Sequence, residues 1–378
     1  MGEYQYIAFR AVDAAVAADD LDFMRRQSSR ARITPWSFDN EYTFGDFHGN
    51  AMEMLRRGYD FHVHYADFGI RKIALRLPQG LPDPRAAAPY LAKGTLGYQK
   101  DGHGPGAILS IQPYLEPGAS DDPDDLNALI EALVPLRGEV LGGDLRPLYL
   151  GHLAVSCDGE HDPEETVEAP VPAGLNQLTA AQRVLAEFYG LDEALLEAAA
   201  QASPALAPRD GGVGLVPWLA QQPAAAKDEW LARLLQESTP SLRREVLARY
   251  TKDSGQAAWP STNARRTITQ LQTAAETIRT RQRRAQAAEA AQRQAALRAG
   301  MVADPRPHLA EVDRLAAQRS TYSYDKAVQL LAELREALAG TPQADLAARH
   351  AEALHARYPT RHFLTSALRR GGFIARQR

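Results

Sequence analysis

Cysteine is nearly missing from this chain: one residue, Cys157, in 378. A lone thiol makes neither an internal disulfide nor a cysteine-built zinc site, and it fits a reducing, cytoplasmic setting. Cys157 ends the apolar stretch LYLGHLAVSC, so a buried, inert thiol is expected in preference to a nucleophile. Long apolar runs are missing too. None approaches the ~20 residues of a membrane span. The opening MGEYQYIAFRAVD has no basic start followed by an apolar stretch, so no secretion signal is expected. Lysine is scarce, at 6 residues against 37 arginines. The sequence contains no G-x-x-x-x-G-K-[ST], no G-x-S-x-G and no H-E-x-x-H, which argues against P-loop, serine-hydrolase and zincin chemistry. Gly211, Gly212 and Gly214 precede Pro217 and do not open a long helix after a strand, which argues against a dinucleotide loop. Asp121, Asp122, Asp124 and Asp125 lack the spacing and closing Glu of a calcium loop and read as a helix start. No cofactor is expected.

What is present is a change of charge sign. Up to Pro170 there are 27 Asp+Glu against 15 Lys+Arg, and from Val171 onward 20 against 28. A modest net charge of −4 therefore hides an acidic front and a basic, Arg-rich back. Such opposed fields point to two bodies that meet other molecules through charged surfaces.

The pattern predicts an α+β domain over residues 1–157, a linker over 158–177 and an α-helical domain over 178–378. In the first, strands are expected at 4–12, 33–44, 61–67, 71–77, 96–100 and 107–114. Helices are expected at 19–27, 51–57 and 124–134. Ile73, Leu75 and Leu77 share one strand face and Lys72, Ala74 and Arg76 the other. That order suggests a mostly antiparallel sheet with helices on one face. Residues 158–177, DGEHDPEETVEAPVPAGLNQ, are acidic, Pro-containing and aperiodic, as linkers are. Beyond them Thr179 and Gln182 make a capping box. Further helices are expected at 192–202, 225–236 and 241–250, and a long one at 263–299 stopping at Gly300. Four more follow at 308–319, 324–339, 343–357 and 361–369, with Ser323 and Thr360 as N-caps.

Three constellations are candidates for function. The long helix carries Arg265, Arg266, Arg279, Arg281, Arg283, Arg284, Arg293 and Arg298 against only Glu276 and Glu289. At 100° per residue, Ile268, Leu271, Ala275, Ile278, Ala285 and Ala296 form an apolar strip, with arginines mainly opposite. Arg279, Arg281, Arg283, Arg284 and Arg293 are the candidate basic surface. They are placed to meet phosphates or an acidic protein surface, or to form a solvated face. The second constellation is ITPWSFDNEYTFGDFHGN. On a strand Trp36, Phe38, Asn40, Tyr42 and Phe44 share a face. An amide in an aromatic row needs partners, so Trp36, Asn40, Tyr42 and Asp46 are candidate contacts for a ligand or partner. Asp46 is also placed to cap the helix at residue 51. Third, His62 and His64 point the same way from one strand and, with a nearby acid, are weak candidates for a divalent metal. His308, His350, His355 and His362 read as surface residues.

EYQY, AFRAVD, ARITPWSF, NEY and GDFHG resemble an uncharacterised family of bacterial cytosolic proteins over roughly the first 80 residues. The resemblance transfers no catalytic residues. YDKAVQLLAELREAL and HARYPTRHFLTSALRRGGF are similar to the helical tails of bacterial SWIM zinc-finger proteins, whose zinc-binding C-x-C and C-x-H elements are absent here. That likeness implies a nucleic-acid role. The residues themselves point to a non-enzymatic cytosolic adaptor that binds a protein partner through charged surfaces. A nucleic-acid binder using the Arg-rich helix is the alternative, and a metal-dependent hydrolase at His62 and His64 a third. No membrane contact is expected, and the oligomeric state is left open.

Overall fold

A computed structural model describes residues 4–78, 82–104, 106–115, 125–159, 161–206, 215–236, 242, 245–246, 249–250, 253, 259–263 and 265–375. The glycines of RDGGVG, the aspartates at 121, 122 and 124 and most of the helix expected at 241–250 lie outside these residues. The chain divides into two compact units, Met1–Arg279 and Thr280–Arg378. Among the described residues no helix is long and apolar enough to cross a membrane.

The first unit is built on a seven-stranded sheet of order β2-β3-β1-β4-β5-β7-β6. The strands are β1 (Gln5–Arg10), β2 (Arg32–Ile33), β3 (Ser37–Tyr42), β4 (Phe61–Ala66), β5 (Ile70–Leu77), β6 (Leu96–Lys100) and β7 (Ala107–Ile111). All neighbouring pairs are antiparallel. Helices α1 (Ala18–Gln27), α2 (Ala51–Arg56) and α3 (Pro84–Ala87) interrupt the strands, and α4 (Leu126–Leu133), α5 (Pro135–Leu141) and α6 (Arg146–Ser156) follow them. Cross-strand partners share a face. One face carries Tyr6, Ala8, Phe61, Val63, Ile73, Leu75, Leu109 and Ile111 and is buried against α4–α6 and helices further along the chain. The other carries Ile7, Phe9, Phe38, Ala74 and Ile108, packed on Leu21 and Met24 of α1 and Met54 and Leu55 of α2. Short helices thus cover part of the second face as well. Covered on both sides, β1 buries all six of its residues, the pattern of a central strand. At Gly151 of α6 an added Cβ would stand 3.0 Å from Ile111 Cδ1. A side chain there would press on Ile111, so α6 packs closely on the sheet at this point.

The acidic stretch 158–177 was expected to link two domains. It is instead part of the first unit's core: Glu168, Ala169, Val171, Ala173 and Leu175 are buried. Its β8 (Val171–Pro172) pairs with β9 (Ser261–Thr262). The core then takes in α7 (Ala180–Phe188), α8 (Glu193–Ala200) and the start of α11 (Ile268–Ala303). The helices α9 (Leu215–Gln221) and α10 (Ala224–Gln236) lie between. The Thr179–Gln182 capping box is formed.

The second unit holds the end of α11 with α12 (Arg306–Ala317), α13 (Thr321–Leu338), α14 (Leu346–Arg357) and α15 (His362–Arg370). Met301, Val312, Ala327, Leu331, Leu334, Ala351, Leu354 and Leu364 fill its core. Three local expectations change. Ser320, not Ser323, caps α13, its Oγ accepting from the Ser323 amide. Arg361, not Thr360, precedes α15. Helix α11 runs through Gly300 to Ala303, since one glycine costs a helix only about 1 kcal/mol.

The charge reversal follows the division into units. Residues 1–279 hold 26 Lys+Arg against 38 Asp+Glu, and residues 280–378 hold 17 against 9.

Candidate functional site

Three of the four candidate contacts in the first unit gather around one end of the sheet. Asn40 is buried, and its Nδ2 donates to Ser28 Oγ at 2.7 Å and Tyr42 Oη at 2.6 Å. Ser28 is the C-cap residue of α1, so the amide fixes that helix end to the sheet. Tyr42 faces Gln5 across the β1–β3 ladder. Gln5 Nε2 donates to Asp46 Oδ1 at 2.7 Å, and Gln5 Oε1 lies 3.0 Å from His64 Nε2. Trp36 is outside this group. It sits in the turn between β2 and β3, half exposed, with its carbonyl accepting from Ala11 N–H. Asp46 does not cap α2. Asn50 does, its side chain accepting from the Glu53 amide at 3.0 Å.

The two histidines share a face but have different partners. His62 Nδ1 lies 3.0 Å from the Ala8 carbonyl. A carbonyl only accepts, so Nδ1 carries the proton. The ring stacks on Phe9 with centroids 4.2 Å apart. Burial takes His62 down to about 3, against the opposing effect of its hydrogen bond to Ala8. Burial also brings His64 down to about 4, the Lys72 charge adding to this and Asp46 opposing it. Among the described residues no group of three His, Cys, Asp or Glu side chains is placed to hold a metal ion. Cys157 is half-buried, and burial raises its thiol to about 11, which leaves almost no thiolate at neutral pH.

The basic candidates are spread along α11. Arg279 pairs with Asp192 at 2.6 Å and Glu276 at 3.0 Å. Arg293 pairs with Glu289 at 2.5 Å, one turn away. Arg281, Arg283 and Arg284 are exposed. The apolar strip is used only in part. Ile268, Leu271, Ala275 and Ile278 are buried, while Ala285 and Ala296 are exposed. From residue 283 to residue 300 every side of the helix is exposed.

Several polar residues were not singled out from the sequence. Gln5 and Lys72 complete the cluster around His64. Glu168 is buried, accepting from Tyr149 Oη and pairing with Arg266 at 2.5 Å. Arg266 Nη1 also donates to the Ala198 carbonyl at 3.1 Å. Arg146 is held by Asp144 at 2.6 Å, donates to the Gln177 carbonyl at 2.8 Å and lies over the Trp259 ring. The Glu168–Arg266 pair leaves no local signal because its members lie 98 positions apart. No family model, curated protein or solved structure matches the chain.

Proposed function

We propose that this is a non-enzymatic interaction protein of the cytoplasm, with the basic second unit and the exposed part of α11 as its contact surface for an acidic protein. The observation that carries this reading is the solvation of α11 on all sides between residues 283 and 300. A helix turn with no apolar face in a core makes little contribution to folding. The excess of arginine there has a use if a partner of opposite charge lies along it. Exposed Leu297 gives the surface an apolar contact as well.

Nucleic acid is the second reading, favoured by the run Arg281, Arg283 and Arg284. A protein partner suits the surface better because carboxylates are set among its arginines. Arg298 pairs with Glu336, Arg314 with Glu311, Arg357 with Asp313 and Arg370 with Asp325. Phosphate recognition favours uninterrupted cations. The test is capture of host-cell partners by the full chain and by an Arg281→Ala/Arg283→Ala/Arg284→Ala variant. Runs at about 50 mM and about 200 mM salt, each with and without nuclease, separate the readings. A protein band that survives nuclease and weakens in the variant is expected. Binding that vanishes with nuclease, with a salt slope about one unit shallower for each arginine removed, selects nucleic acid. Equal capture by both chains overturns the role given to α11.

A further inference from the structure

At one end of the second unit's bundle α12 gives way to α13, and α15 starts beside them. The Arg361 guanidinium makes the tie, donating from Nη1 to the Ala316 carbonyl at 2.6 Å. Two large side chains stand out in water at this end: Tyr322 is 69% exposed and Phe363 71%. Each lies in the first turn of its helix, whose neighbouring Tyr324 and Leu364 are buried. Cations frame them. The Lys326 ammonium lies 4.5 Å from the Tyr322 ring centre, and the Arg361 guanidinium 3.7 Å from that of Tyr358. Arg319 is exposed, and among the described residues it has neither an ion pair nor a hydrogen bond. Across 316–326 and 358–366 the one carboxylate is Asp325, and Arg370 pairs with it at 2.6 Å. Arg319 also has an uncommon backbone. It follows Gln318, the C-cap of α12, with a φ of 59°, the left-handed place that glycine usually takes after a helix. An arginine there strains the turn and adds a cation to the surface.

We propose that this end of the bundle, Tyr322 and Phe363 with Arg319, Lys326 and Arg361, is where an acidic peptide segment bearing aromatic side chains docks on the second unit. Tyr, Phe and Arg mark the centres of protein interfaces, and exposed rings offer a large contact area at small entropy cost. Rings flanked by cations fit a segment in which carboxylates stand beside aromatic side chains. A nucleic-acid strand fits less well. A cation already covers one face of Tyr322 and of Tyr358, where a base would stack, and so few cations neutralise few phosphates. This site rests on the reading of the second unit as a surface for an acidic protein, and it uses none of the arginines of α11.

The test uses the intact chain at about 50 mM salt, where charge contacts are weakly screened. The probes are a labelled random copolymer of glutamate and tyrosine, polyglutamate and oligothymidylate, with affinities from fluorescence anisotropy. The copolymer is expected to bind about tenfold more tightly than polyglutamate. Tyr322→Ser/Phe363→Ser is expected to remove that advantage and leave polyglutamate binding as it was; both side chains are exposed, so the core is kept. Arg319→Gly is expected to weaken copolymer binding about threefold while raising the urea midpoint, because glycine relieves the turn. Equal affinity for the two acidic polymers, or a copolymer advantage that survives the double substitution, overturns the proposal. Tighter binding of oligothymidylate also overturns it and selects a nucleic-acid strand. The Arg281→Ala/Arg283→Ala/Arg284→Ala chain separates this site from the reading beneath it. If that chain binds the copolymer like the parent and the double variant does not, the role of α11 falls and this site stands. The reverse result keeps α11 and removes this site, and binding of neither acidic polymer overturns both.

Discussion

His62 and His64 are two residues apart on one strand, yet β1 assigns them opposite tautomers: Ala8 takes a proton from Nδ1 of the first and Gln5 one from Nε2 of the second. The shared face was legible from the H-x-H spacing. The partners were not, because they lie 54 and 59 positions earlier. The same applies to Asn40, whose need for partners was readable while Ser28 as a partner was not. Both histidines are neutral when folded, with values of about 3 and about 4, below the unfolded value near 6.5. Above about pH 6.5 neither state binds the extra proton and their contribution is complete. As the pH falls the unfolded chain protonates first, so stability is lost, by up to about 1.4 kcal/mol per pH unit for each histidine. Urea midpoints are therefore expected to fall between about pH 6.5 and about pH 5. His62→Asn, which keeps a donor for Ala8, is expected to make that fall shallower, with His64 and the buried His152 accounting for what remains. A midpoint that does not move over this range contradicts the burial described for these rings.

Composition misdirected the reading of residues 158–177. Acids, prolines and a lack of periodicity are what linkers share, but Glu168 is acidic because it meets Arg266, almost a hundred residues away. Prolines here also fit a two-residue strand that pairs with β9. In contrast, the capping box at Thr179 and Gln182 was legible, since both partners lie within one turn. Helices α5 and α6 were missed for another reason. All eleven residues of α6 are buried, and a helix covered on every side shows no amphipathic period. Arg266→Met, which strands the buried Glu168 carboxylate, is expected to cost about 3–5 kcal/mol. Tyr149→Phe, which removes one hydrogen bond to the same carboxylate, is expected to cost about 1–2 kcal/mol. Equilibrium denaturation of both variants checks the order. Equal and small losses would mean that the segment is not held by this pair.

Sheet and helical bundle were both legible at the scale of the molecule, as was the reversal of charge sign. The division between the two units falls within α11, a place that periodicity does not mark because the helix continues through it. Each unit has its own core, and all four tryptophans, at positions 36, 218, 230 and 259, belong to the first. Tryptophan fluorescence therefore reports on that unit, while circular dichroism reports on the helices of both. Leu331→Ala, at the fully buried centre of the second core, is expected to destabilise that unit by about 2–5 kcal/mol. The loss should appear in the dichroism curve and leave the fluorescence midpoint in place. A matching shift of both signals would show one cooperative body.

Eight alanines fall between residues 283 and 300, and among the described residues none packs over them, so all eighteen positions are exposed. That part of α11 stays helical through intrinsic propensity and near-neighbour pairs such as Glu289 with Arg293. Water competes for its amides at every turn. A molecule lying along it would gain twice, from the contacts it makes and from the winding it preserves.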